Sequence, residues 1–151
     1  MQTTIAETAK ILLNSGRMLT TAESCTGGMI AAACTDLAGS SQWFERGFVT
    51  YSNEAKQELL GVPATLIDTH GAVSEPVARA MALGAMTHSH ADVAIAVTGI
   101  AGPTGGSADK PVGTVWFGFA LNGECETETR VFTGDRAAVR KATLKHAITR
   151  L

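Results

Sequence analysis

The chain is short of charge and lacks the glycine fingerprints that announce nucleotide binding. Only 17% of its 151 residues are Asp, Glu, Lys or Arg, the formal net charge is −2, and no run of Lys or Arg occurs. Without a basic patch there is no electrostatic footprint for gripping a nucleic-acid backbone, so no nucleic-acid partner is expected. Neither GxGxxG nor a loop ending in GK[ST] is present, which removes the signatures of dinucleotide and ATP sites. The four histidines form no HxxxH or HxE pattern, and only His88-Ser89-His90 places two together, so no metal is expected. Cys25, Cys34 and Cys125 are odd in number and have no CxxC spacing, which suggests neither a disulfide framework nor structural zinc and points to a reducing cytoplasm. The opening stretch carries Glu7 and Lys10 among its apolar positions and fits neither a signal peptide nor a membrane span, so no membrane partner is expected.

What is present is core. With 45% hydrophobic residues, 151 residues bury one sizeable core and are too few for two, so one domain is expected over 1–151. Ile5, Ala9, Leu12 and Leu13 recur at helical spacing before a Gly16 stop, predicting a helix over 3–14. A short strand over 17–22 leads through Glu23-Ser24-Cys25-Thr26-Gly27-Gly28 into a helix of small residues closed by Gly39. A second strand is predicted over 48–51, followed by a short helix capped by Asn53 and ended by Gly61. His70-Gly71 reads as a helix end. Ser74 and Pro76 open a helix over 75–88, and Val93 to Val97 is a continuous apolar run, the pattern of a strand covered on both faces. Residues 98–113 form a Gly- and Pro-rich loop of a length that is more often functional than idle. Asn122-Gly123 between two β-prone runs is a hairpin signal, and Asp135 caps a terminal helix. The alternation is that of an α/β protein, with polar turns at Glu23–Gly28, Gly39–Ser41 and Thr98–Gly113 where ligands gather.

Two cations stand at helix beginnings, Lys56 and Arg136. A helix N-terminus carries about half a positive charge, so a cation there is disfavoured by roughly 0.3–1 kcal/mol. The commoner outcome is a lysine that swings into water. The chemical alternative is a lysine whose pKa is lowered by burial and the helix end, so that its neutral amine can act as a base. Arg136 beside helix amides suits a phosphate or carboxylate, unless it pairs with Asp135 or a surface Glu. Ser24 and Ser41 flank the element carrying Tyr51 and Lys56, which makes a Ser–Lys arrangement with a helping tyrosine sterically conceivable. Cys25 reads equally as a small buried filler.

The segments "TAESCTGG", "GSSQWFERGFVTYSNEAKQELLGV", "HGAVSEPVA", "VTGIAGPTGGSADKPVGTVWFGFA" and "FTGDRAAVR", collinear from about residue 5 to 150, resemble the CinA C-terminal domain family, and within it the free-standing nicotinamide-nucleotide amidohydrolases. The resemblance implies a three-layer α/β/α sandwich with a mixed sheet that includes the C-terminal hairpin. It also implies hydrolysis of the carboxamide of nicotinamide mononucleotide to nicotinic acid mononucleotide and ammonia, with no cofactor, in a cytoplasmic homodimer. By position, Ser41 matches the nucleophile, Lys56 its base and Tyr51 an auxiliary hydroxyl. Ser24, Thr98 and Arg136 match the remaining substrate-binding positions, Thr98 standing where some relatives have Ser. The amides around Gly39 to Ser41 would hold the oxyanion, and Arg136 with the long loop would hold the 5′-phosphate. A silent nucleotide-binding module, or an interaction domain of a competence or DNA-damage assembly, are the competing readings.

Overall fold

The computed structural model describes residues 2–151. Helix α1 (Gln2–Ser15) precedes β1 (Leu19–Glu23), α2 (Met29–Thr35), a 3₁₀ turn (Ser40–Gln42), β2 (Phe44–Val49), α3 (Asn53–Leu60), α4 (Ala64–His70) and α5 (Glu75–Thr87). Then come β3 (Val93–Gly99), β4 (Thr114–Leu121), β5 (Glu124–Val131) and α6 (Arg136–Arg150). The strands form one mixed sheet in the order β2-β1-β3-β4-β5. β2, β1 and β3 run parallel, and β4 and β5 join antiparallel. The hairpin forms where Asn122-Gly123 predicts it, both residues taking positive φ, 54° and 81°, as a two-residue turn matched to strand twist requires.

The two faces of the sheet bury different side chains. Leu19, Val93, Ile95, Val97, Val115 and Phe117 pack against α1, α2 and α6. Ala22, Ala94, Ala96 and Ala120 meet α3, α4 and α5. Alternation along β3 decides this: a strand exposes successive residues to opposite faces, so Val93, Ile95 and Val97 go one way and Ala94 and Ala96 the other. The alanines let α5 approach closely. A Cβ on Gly118 would sit 2.7 Å from the Ala78 carbonyl oxygen. Helices on both faces make the three-layer α/β/α arrangement that the resemblance implies.

Two local expectations fail. The second strand is Phe44–Val49, not 48–51. It is an edge strand, where solvent on one side tolerates Glu45, Arg46 and Gly47, so it shows no clean apolar run. The cap of α3 is Ser52, whose Oγ accepts from Ala55 N at 3.0 Å, and Asn53 is the first helical residue. His146 lies within α6, bonded to Glu128 at 2.8 Å and packed on Phe117.

Candidate active site

Three parallel strands end side by side, and their carboxyl ends carry the site. β1 delivers Ser24, β2 delivers Thr50 and Tyr51, and β3 ends in Thr98 and Gly99. The chain leaves β1 for β2 on one side and later returns to β3 on the other, so Ser24 stands where strand order reverses, the usual place for a ligand. The Ser24 amide donates to Val97 O at 3.1 Å and locks it there.

Lys56 does not swing into water. It lies in α3 with 1% of its surface exposed, and its Nζ is 3.0 Å from Thr50 O, 3.1 Å from Tyr51 O and 3.1 Å from Ser24 Oγ. Among the described residues no carboxylate lies within ion-pair reach of it. Burial therefore dominates, opposed only by neighbouring Cys25, and pushes its pKa below the ordinary 10.5. The three neighbours can serve either protonation state of the amine. The protonated amine donates to all three, whereas the neutral amine would donate to the two carbonyls and turn its lone pair to the Ser24 hydroxyl, which can donate.

The other candidates assemble around this pair. Arg136, the first residue of α6, pairs with no carboxylate among the described residues; it donates to Gly102 O and to Tyr51 Oη, each at 2.9 Å. Asp135 instead caps α6 through Ala138 N. The Tyr51 ring is 60% exposed at the mouth. Thr98 is buried and donates its hydroxyl to Ala72 O at 2.9 Å, tying the end of β3 to the 72–73 segment. Together Ser24, Tyr51, Lys56, Thr98 and Arg136 line one cavity of about 190 Å³. A larger cleft of about 360 Å³ lies between α1, the end of α6 and the hairpin, but Ile11, Phe119 and Leu121 line it without a converging nucleophile and base. Chemistry, not size, marks the site.

Ser41 and Gly39 lie elsewhere. The Ser40–Gln42 turn precedes β2, whereas Tyr51 follows it, so the six residues of that strand separate Ser41 from Lys56 by roughly 20 Å within one chain. Ser41 is exposed, and Gly39, at φ 82°, opens the turn without facing the cavity. Their physical reason is topological: parallel strands put the start of β2 at the opposite end of the sheet from its finish.

Cys25, read from sequence as a small buried filler, and Asn53, read as a cap, line the cavity, and two further residues, Glu23 and Arg140, were given no role from sequence. Burial pushes the Cys25 thiol up to about 11, so it stays a neutral wall. Glu23 is 1% exposed; one oxygen accepts from Thr26 Oγ1 at 2.6 Å and Ile30 N at 2.9 Å, the other from Ala31 N at 2.9 Å. Arg140 donates to Cys25 O at 3.0 Å and Thr26 O at 3.2 Å. One signal was available: the helix beginning at Met29 has Gly28 as its cap, with no side chain to serve its amides, and Glu23 is the acid nearest before it.

Comparison with known proteins agrees with this architecture. The model of the CinA C-terminal domain family matches residues 1–151. The nicotinamide-nucleotide amidohydrolase PncC of Escherichia coli (strain K12) is 58% identical over 134 residues, 88% of this chain and 81% of that one. A putative competence-damage inducible protein of Symbiobacterium thermophilum is 54% identical over 148 residues, 92% of this chain but 35% of its own length. Among solved structures, the competence damage-inducible protein A of Klebsiella pneumoniae superimposes with a TM-score of 0.96 at 42% identity, covering 99% of this chain and 92% of that one. The chain belongs to the CinA C-terminal domain family.

Proposed function

We propose that the chain hydrolyses the carboxamide of nicotinamide mononucleotide to nicotinic acid mononucleotide and ammonia, acting as a serine–lysine amidase. The observation that carries this is the buried Lys56 amine 3.1 Å from the Ser24 hydroxyl, at the wall of a cavity that also holds Arg136. The names of relatives 58–60% identical supply the substrate class. Lys56 takes the Ser24 proton as Ser24 Oγ bonds to the amide carbon. The protonated lysine then returns that proton to the departing nitrogen, the C–N bond breaks and ammonia leaves. Water, deprotonated by the same amine, cleaves the acyl ester and frees the acid. Arg136, held by Tyr51 and Gly102 O, is the cation for the 5′-phosphate. The reaction belongs in the cytoplasm, where its three free cysteines stay reduced.

The nucleophile's role that the resemblance gives Ser41 requires a second copy of the chain. Two features favour that reading. β2 is an edge strand with no partner on its outer side among the described residues, and a cavity of about 190 Å³ is smaller than the roughly 300–1,000 Å³ usual for ligands of this size. Two-fold antiparallel pairing of β2 centred on Gly47 would set Arg46 of each copy opposite Phe48 of the other. It would also carry the Ser40–Gln42 turn of one copy to the Tyr51–Asn53 end of the other, in a homodimer.

The test is ammonia release from nicotinamide mononucleotide by the parent chain and by Ser24→Ala, Ser41→Ala and Lys56→Ala, with the acylated peptide located by mass spectrometry. Acyl at Ser24 and loss in Ser24→Ala and Lys56→Ala are expected. Acyl at Ser41, with activity restored on mixing Ser41→Ala with Lys56→Ala, selects the two-copy reading. No ammonia from the parent leaves the silent binding module.

A further inference from the structure

Ser24 sits in a turn that has no regular structure of its own, yet its hydroxyl must stay within hydrogen-bond reach of an amine fixed in another element. Two charged groups grip that turn from either side. From inside, the Glu23 carboxylate accepts from Thr26 Oγ1 and from the Ile30 and Ala31 amides, so the residues on both sides of Ser24 are tied to the start of α2. From outside, the Arg140 guanidinium spans two successive carbonyls, Cys25 O and Thr26 O. Arg140 makes no carboxylate ion pair among the described residues, so its fork is spent on this turn. It lies one helical turn after Arg136 on α6, so one helix edge reaches both the cavity and the segment carrying Ser24.

We propose that Glu23 and Arg140 are positioning residues that hold the Ser24 hydroxyl on the Lys56 amine. Neither touches substrate. The inference rests on Ser24 as the nucleophile, and a misplacement of about 1 Å at such a group costs on the order of a hundredfold in rate.

The experiment follows labelling of Ser24 by a fluorophosphonate, a readout independent of nicotinamide mononucleotide, alongside ammonia release and the melting temperature. Arg140→Ala is expected to slow both labelling and kcat by about tenfold to a hundredfold with KM little changed, and added methylguanidinium is expected to restore both. Arg140→Lys, one donor short of the fork, is expected to fall between. Glu23→Gln, which sets an amide against a backbone donor, is expected to slow labelling likewise. If it does not fold, the Arg140 series decides alone. Labelling at the parental rate in Arg140→Ala, or a loss that follows the melting temperature and resists methylguanidinium, overturns the proposal. A parent chain that leaves Ser24 unlabelled overturns it together with the Ser24 mechanism. A parent that labels at Ser24 without releasing ammonia refutes the substrate alone, and the Arg140 series then decides the positioning role.

Discussion

Lys56 stands where two influences disfavour a positive charge, a helix beginning and a dry interior, and two carbonyls and the Ser24 hydroxyl hold its amine there. Lys56→Met, which keeps the length of the side chain, is expected to cut kcat by about 10²–10⁴-fold, the usual share of a general base. Activity of the parent should rise with pH along a limb set below the ordinary lysine value of 10.5, because burial disfavours the charged amine. Stability carries the same sign. Between the lowered folded pKa and 10.5 the unfolded chain binds more protons, so stability climbs with pH across that interval and is flat below it. Denaturant titrations at a series of pH values should show this slope in the parent and not in Lys56→Met. Arg136→Ala is expected to raise KM for the mononucleotide far more than for nicotinamide riboside, which lacks the phosphate. At this scale the residues named from sequence divide: Ser24, Tyr51, Lys56, Thr98 and Arg136 line one cavity, and Ser41 and Gly39 lie outside it. The burial of Lys56 was not legible, because a lysine at a helix start reads the same whether it faces water or a carbonyl cage. Glu23 and Arg140 bond largely to backbone groups; the uncapped start of α2 hints at the first, and nothing in the spacing marks the second.

At the scale of elements, α3 matters because it carries Lys56, and its position is set by one glycine. A Cβ on Gly84 of α5 would lie 2.0 Å from Leu60 O. Ala improves helix propensity by about 1 kcal/mol, but crowding backbone against backbone costs about 1–3 kcal/mol, so crowding prevails. Gly84→Ala should lower the melting temperature, and by pushing the end of α3 outward it should also reduce ammonia release without touching the cavity. Elements whose signals are local read correctly from sequence. The Asn122-Gly123 turn, the Asp135 cap and the apolar run of β3 each specify themselves within a few residues. β2 did not, since an edge strand answers to its neighbour β1 more than to its own pattern. Its misplaced boundary also hid the fact that Ser41 and Lys56 lie beyond opposite ends of it.

For the whole molecule, the proposed pairing of two copies through the open side of β2 is the claim to test. Pairing centred on Gly47 would set Val49 of each copy beside Glu45 of the other. Val49→Asp would therefore place like charges opposite one another twice, at about 0.2–1 kcal/mol each. Sedimentation should show a severalfold weaker dimer for Val49→Asp; an unchanged dimer would mean that another surface joins the copies. The order of strands was not legible in the sequence, because any parallel arrangement satisfies the same alternation of helices and strands. A different consequence follows from the unequal faces of the sheet. The side lined by Ala22, Ala94, Ala96 and Ala120 is filled by close approach of main chains and has no slack for a larger side chain. The side lined by Leu19, Ile95, Val97 and Phe117 is filled by bulky groups that can exchange volume among themselves. Efforts to harden this protein against heat should therefore draw their libraries from the α1, α2 and α6 side and leave the alanine side untouched.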